Sequence, residues 1–110
     1  MNAQTKNIKV SACLSLLRAN RKYLGIALHC LQEEVKKDSS KLDKTYILCD
    51  YVSSLKKTIS FFETLIDRSN GKPSIEINYP QAIMAKACIE NVKSLKFILM
   101  DRYNIFVEIH

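Results

Sequence analysis

Few side chains in this sequence are suited to catalysis. His29 and His110 are the only histidines among 110 residues, and there is no tryptophan. General acid–base catalysis needs a titratable group held within reach of a reacting proton, its pKa tuned by neighbours. Neither histidine has a neighbour at a spacing that suggests such a pairing. The short Arg-to-His spacing of helical ribonucleases is missed by Arg21…His29 and Arg102…His110, each with seven residues between. No nucleophile elbow, phosphate-cradling loop, dinucleotide fingerprint or zinc-binding histidine pair occurs. Glu33, Glu34, Glu63 and Asp67 read as surface charges on helices. The expectation is a protein without catalytic residues and without a cofactor.

The four cysteines, Cys13, Cys30, Cys49 and Cys88, form no C-x-x-C pair and have no histidine at zinc-ligand spacing. No metal site is expected. Each stands among apolar neighbours in a helical stretch, where free cysteine behaves as a small hydrophobe. Unpaired thiols in a chain with few loops point to a reducing, cytoplasmic setting.

Charge is the strongest functional signal. The net charge of +6 is concentrated at the N-terminal end, where residues 1–32 hold Lys6, Lys9, Arg18, Arg21 and Lys22 and no acid. Residues 33–70 balance seven bases with seven acids, and residues 71–110 hold five and four. Ser11, Ser15, Arg18, Lys22, Gly25 and His29 recur every three or four residues and so share one helix face. Such a face suits phosphates, anionic lipid or an acidic protein surface. Against nucleic acid, no zinc finger, RNP motif or glycine-bearing KH loop is legible, and Tyr23 is the only aromatic near the stripe.

Arg21 interrupts an otherwise apolar line. It reads as a snorkelling edge residue, as the partner of a carboxylate such as Asp50 or Glu63, or as a contact to another molecule. Phe61 and Phe97 fall off the apolar seams of their own segments, flanked by Ser and Lys, and with Met84 and Met100 are candidate exposed anchors. The partner-binding residues expected from sequence are therefore Arg18, Arg21, Lys22, Phe61 and Phe97.

Three amphipathic segments must position these residues. Over residues 7–37, positions 10, 14, 17, 24, 28, 31 and 35 are apolar, with Arg21 the exception. A second line, Ala12, Leu16, Ala19, Tyr23, Ile26 and Cys30, widens that face. Gly25 marks a point where the helix could break, giving four helices instead of three. Asp38–Ser40 signals a turn, and Ser40-Lys41-Leu42-Asp43 reads as a capping box. The second helix carries Leu48, Val52, Leu55, Ile59, Phe62 and Ile66 on one face and ends at Asn70-Gly71. A short extended segment at 74–79 leads to Pro80, which suits the first turn of a third helix. That helix aligns Ala85, Cys88, Val92, Leu95 and Leu99. Val52-x-Ser54-Leu55-Lys56 recurs as Val92-x-Ser94-Leu95-Lys96, an echo that heptad-like helices produce readily.

The fold class expected is therefore all-α: one domain, 1–110, built as an antiparallel bundle of three long helices. The β-rich C-terminal segment Ile105–Ile109 suggests a minor strand pair, 75–79 with 105–109, with continuation of the third helix as the alternative, because Phe106 follows Tyr103 by three. No stretch approaches the roughly 20 apolar residues of a membrane span. The breadth of the apolar face on the first helix points to a homodimer or a partner protein covering the surplus. The function expected is a small non-enzymatic module that docks a helical face on a protein, as regulator, inhibitor or adaptor. The competing expectation is a basic, largely non-specific nucleic-acid binder using the first helix.

Overall fold

The computed structural model describes residues 5–37 and 42–107. In chain order they form β1 (Thr5–Lys9), α1 (Val10–Lys37), α2 (Leu42–Ser69), β2 (Ser74–Asn78) and α3 (Tyr79–Tyr103). The Asp38–Ser40 turn and the side chains of the Ser40–Asp43 capping box lie outside what is described.

Helix α1 runs through Gly25 without a break. A Cβ built on Gly25 would meet nothing within 4 Å, so this glycine serves no close approach inside the chain. The apolar face of α1 is rotated from the one the spacing suggested. Its buried positions are Cys13, Leu17, Ala19, Asn20, Tyr23, Ala27 and Cys30. Leu17 belongs to the first expected line and Ala19, Tyr23 and Cys30 to the second, with Cys13, Asn20 and Ala27 between the two, while Leu14, Leu28 and Val35 of the first line stand exposed.

Helix α2 buries the expected face, with Leu48, Val52, Leu55 and Phe62 joined by Leu65. It stops where Asn70 and Gly71 adopt positive φ values of 48° and 80°, which turn the chain out of the helix. Helix α3 begins with a true capping box. The Asn78 side chain accepts from the Gln81 N–H, and the Gln81 side chain accepts from the Asn78 N–H, both at 2.9 Å. It ends at Asn104, whose φ of 54° turns the chain so that the Ile105 N–H donates to the Leu99 carbonyl at 2.9 Å.

Two apolar clusters hold the helices together. One gathers Tyr23, Ala27 and Cys30 of α1 with Leu48, Val52 and Leu55 of α2 and Leu95 and Leu99 of α3. The other gathers Cys13 and Leu17 with Phe62, Leu65, Ala85, Cys88 and Ile77. Each fully buried Leu, Ile or Phe contributes roughly 1.5–3 kcal/mol.

The strand pairing corrects two expectations. Residues 7–9 belong to β1, not to the first helix, and β1 is the antiparallel partner of β2, with Ile8 opposite Ile75 and Lys6 opposite Ile77. The expected pairing of 75–79 with 105–109 does not form among the described residues; 108–110 lie outside them. Residues 105–107 are irregular. Ile105 and Val107 pack into the first cluster, and Ile77 and Ile75 into the second. The 25 residues of α3 separate the two segments by about 37 Å, so they meet opposite ends of the core.

Candidate interaction surfaces

The basic stripe of α1 is fully presented. Ser11, Ser15, Arg18, Lys22, Gly25 and His29 are all exposed. The reason is local: these positions lie opposite Cys13, Tyr23, Ala27 and Cys30, which the core takes up. Arg21 stands at the edge of the stripe and turns toward α2, its Nη2 donating to Glu63 Oε2 at 3.4 Å. Both side chains remain about half exposed, so the pair contributes at most about 1 kcal/mol. Of the three readings of Arg21, pairing with Glu63 is the one observed.

Phe61 and Phe97 are not brought together as equals. Phe61 is half-buried, its ring edge-on to Phe62 with centroids 5.1 Å apart. Phe97 is 69% exposed on the outer side of α3. Tyr79, Ile83, Met84, Ile89 and Met100 are also exposed along α3, Met84 toward α2, so α3 carries six of the ten large apolar side chains described as exposed. Helix α2 carries none of them and α1 three. The apolar surplus that sequence spacing assigned to the first helix therefore belongs to the third. Leu16 and Ile26 of the first helix already pack against the clusters within the chain. In α3 only Ala85, Cys88, Leu95 and Leu99 are buried, although most positions around the helix are apolar.

A groove follows the seam between α2 and α3. At its centre a concavity of about 480 Å³ is lined by Ser54, Thr58, Ala87, Cys88, Asn91 and Ser94, among others. These side chains are small, which is why the two helices leave space there. The Cys88 thiol donates to Thr58 Oγ1 at 3.1 Å, and Thr58 Oγ1 donates to the Ser54 carbonyl at 2.9 Å. Desolvation by burial raises the Cys88 thiol above its usual 9.0, with the Thr58 contact opposing it. Cys13 and Cys30 are raised by burial as well, Cys30 further by Glu34. Raised values make these thiols poor nucleophiles at neutral pH.

Sequence reasoning did not identify the groove. Its trace was the echo at 52–56 and 92–96, whose serines, Ser54 and Ser94, line the same concavity. It also missed Asn20, which is 1% exposed. Asn20 Nδ2 donates to the Leu16 carbonyl at 2.7 Å, while Oδ1 has no partner among the described residues.

Among the described residues, no three His, Cys, Asp or Glu side chains are grouped so as to hold a metal ion. No described helix is long and apolar enough to cross a membrane. No protein-family model, curated protein or solved structure matches this chain.

Proposed function

We propose that this chain is a small non-enzymatic interaction module, an antiparallel bundle of three helices whose α3 side docks on a partner protein and so regulates or inhibits it. The observation that carries the reading is the concentration of exposed apolar side chains on α3, from Ile83 to Met100 around Phe97. So many large apolar groups exposed along one helix favour a surface that another molecule covers. Four free thiols fit a reducing, cytoplasmic compartment.

The test is site-specific photocrosslinking in cells with benzoylphenylalanine at Phe97, compared with the same probe at His29 on α1. A discrete protein adduct from position 97, absent from position 29, is the expected result. Adducts from position 29 alone would overturn it.

The second reading, nucleic-acid binding, draws on the uninterrupted exposure of the stripe containing Arg18 and Lys22. Fluorescence anisotropy of a labelled mixed-sequence oligonucleotide tests it. Neutralising about four phosphates gives a log–log salt slope near −3.6, roughly a hundredfold loss between about 50 and 200 mM salt. Arg18→Glu with Lys22→Glu would then abolish binding and leave the fold intact. No binding at low salt would retire this reading.

A further inference from the structure

The central concavity between α2 and α3 continues at both ends. It shares Ser54 and Asn91 with a concavity of about 260 Å³ beside Ile47, Asp50 and Tyr51. It shares Lys57 and Met84 with one of about 550 Å³ beside Lys56 and Phe61. The three form one groove along the helix pair, with a lining that comes from α2 and α3 alone among the described residues.

The groove's two ends complement each other. Ile47 and Tyr51 with an acid, Asp50, stand at one end; Phe61 and Met84 with two bases, Lys56 and Lys57, stand at the other. Glu90 faces the middle, where Lys57 also lines the wall. Two acids thus balance two bases, on a chain whose net charge is +6. The five bases of residues 1–32 lie on β1 and α1, which do not line the groove. This is therefore the face on which a second copy can approach without like-charge repulsion.

A two-fold axis across the middle of the groove would exchange its ends. Isologous packing requires that residue i meet residue j while j meets i. Asp50 and Lys57 are seven residues apart, two turns along α2. An antiparallel α2 pair centred between them therefore sets each Asp50 against the other copy's Lys57. The same operation lays Ile47 and Tyr51 toward the other copy's Phe61 and Met84. Ser54 and Ala87 near the axis are small enough for the helices to approach closely.

We propose that the occupant of the α2–α3 groove is a second copy of this chain, packed antiparallel about a two-fold axis near Ser54. The proposal goes beyond the docking reading of α3, since of that helix's exposed large apolar side chains only Met84 lines the groove. Sedimentation equilibrium over a wide concentration range should give a species of twice 12.6 kDa. Asp50→Lys and Lys57→Asp should each weaken association by at least about tenfold. The double variant should restore it, because the swapped charges meet again across the axis, an outcome that damage to the fold could not produce. Circular dichroism of each variant, at two exposed positions, should match the parent.

A monomer at every concentration would overturn the proposal. So would a dimer indifferent to both single variants, or losses that the double variant fails to rescue. A monomer that still gives a heterologous adduct from position 97 would remove the second copy while leaving the docking reading in place. A dimer with adducts only to itself would do the reverse.

Discussion

Cys88 of α3 stands 3.1 Å from Thr58 Oγ1 of α2, joining the two helices by a side-chain hydrogen bond at the floor of the groove between them. Both residues are buried. Thr58→Val keeps the shape and leaves the thiol without its acceptor, which should cost about 1–2 kcal/mol. A double-mutant cycle with Cys88→Ala, followed by urea denaturation, isolates the coupling between the two. Strict additivity would show that the contact carries no energy.

Alkaline pH should destabilise the fold. Burial raises Cys13, Cys30 and Cys88 above 9.0, and raises Tyr23 and Tyr103 above 10.0. The unfolded chain then loses these protons first, so stability is fully present below about pH 9 and falls as pH rises toward the folded values. Each thiol contributes a slope of up to about 1.4 kcal/mol per pH unit in that window. Urea midpoints measured from pH 7 to 10.5 under reducing conditions should decline, and Cys30→Ala should make the decline shallower.

Gly25→Ala should stabilise the protein by about 0.5–1 kcal/mol, since α1 is continuous at this position and a methyl group meets nothing. Thermal unfolding followed by circular dichroism reads the shift. A lower midpoint would mean that the helix needs its glycine.

The two phenylalanines Phe62 and Phe97 should separate sharply. Phe62, fully buried, should cost about 3–5 kcal/mol on replacement by alanine. Phe97→Ala should change stability by no more than about 0.5 kcal/mol, because its ring stands in solvent.

Asn20→Leu should raise stability by about 1–2 kcal/mol, because it removes a buried carbonyl oxygen that has no partner. Chemical denaturation of the variant against the parent measures the gain. A loss instead would show that the Nδ2 contact to the Leu16 carbonyl outweighs the orphaned acceptor.

How much of this was legible follows from how far each determinant reaches along the chain. The three helical segments, the stop at Asn70-Gly71 and the start near Pro80 were legible because caps, turns and the 3.6-residue repeat act within a few residues. Of the aligned set Ala85, Cys88, Val92, Leu95 and Leu99, all but the half-buried Val92 proved buried for the same reason. The exposure of Arg18, Lys22 and Phe97 was legible too, as positions off the apolar face. Leu17, Ala19, Tyr23 and Cys30 of the expected lines of α1 are buried, whereas Cys13, Asn20 and Ala27 lie off both lines. They are buried because neighbouring helices cover them.

The sequence by itself therefore determined the three helical segments, the stop at Asn70-Gly71, the start near Pro80 and the basic character of the first third. Tertiary structure alone decided three things. β1 pairs with β2 across more than sixty intervening residues, so no local signal could choose it over 105–109. Arg21 pairs with Glu63 and not with Asp50, a choice made only where α1 and α2 come together. The α2–α3 groove exists because small residues from two distant segments, Ser54 and Thr58 with Ala87 and Ser94, come to face one another. Periodicity records which side of a helix is apolar; which neighbour meets that side, and how completely, is settled only when the helices pack.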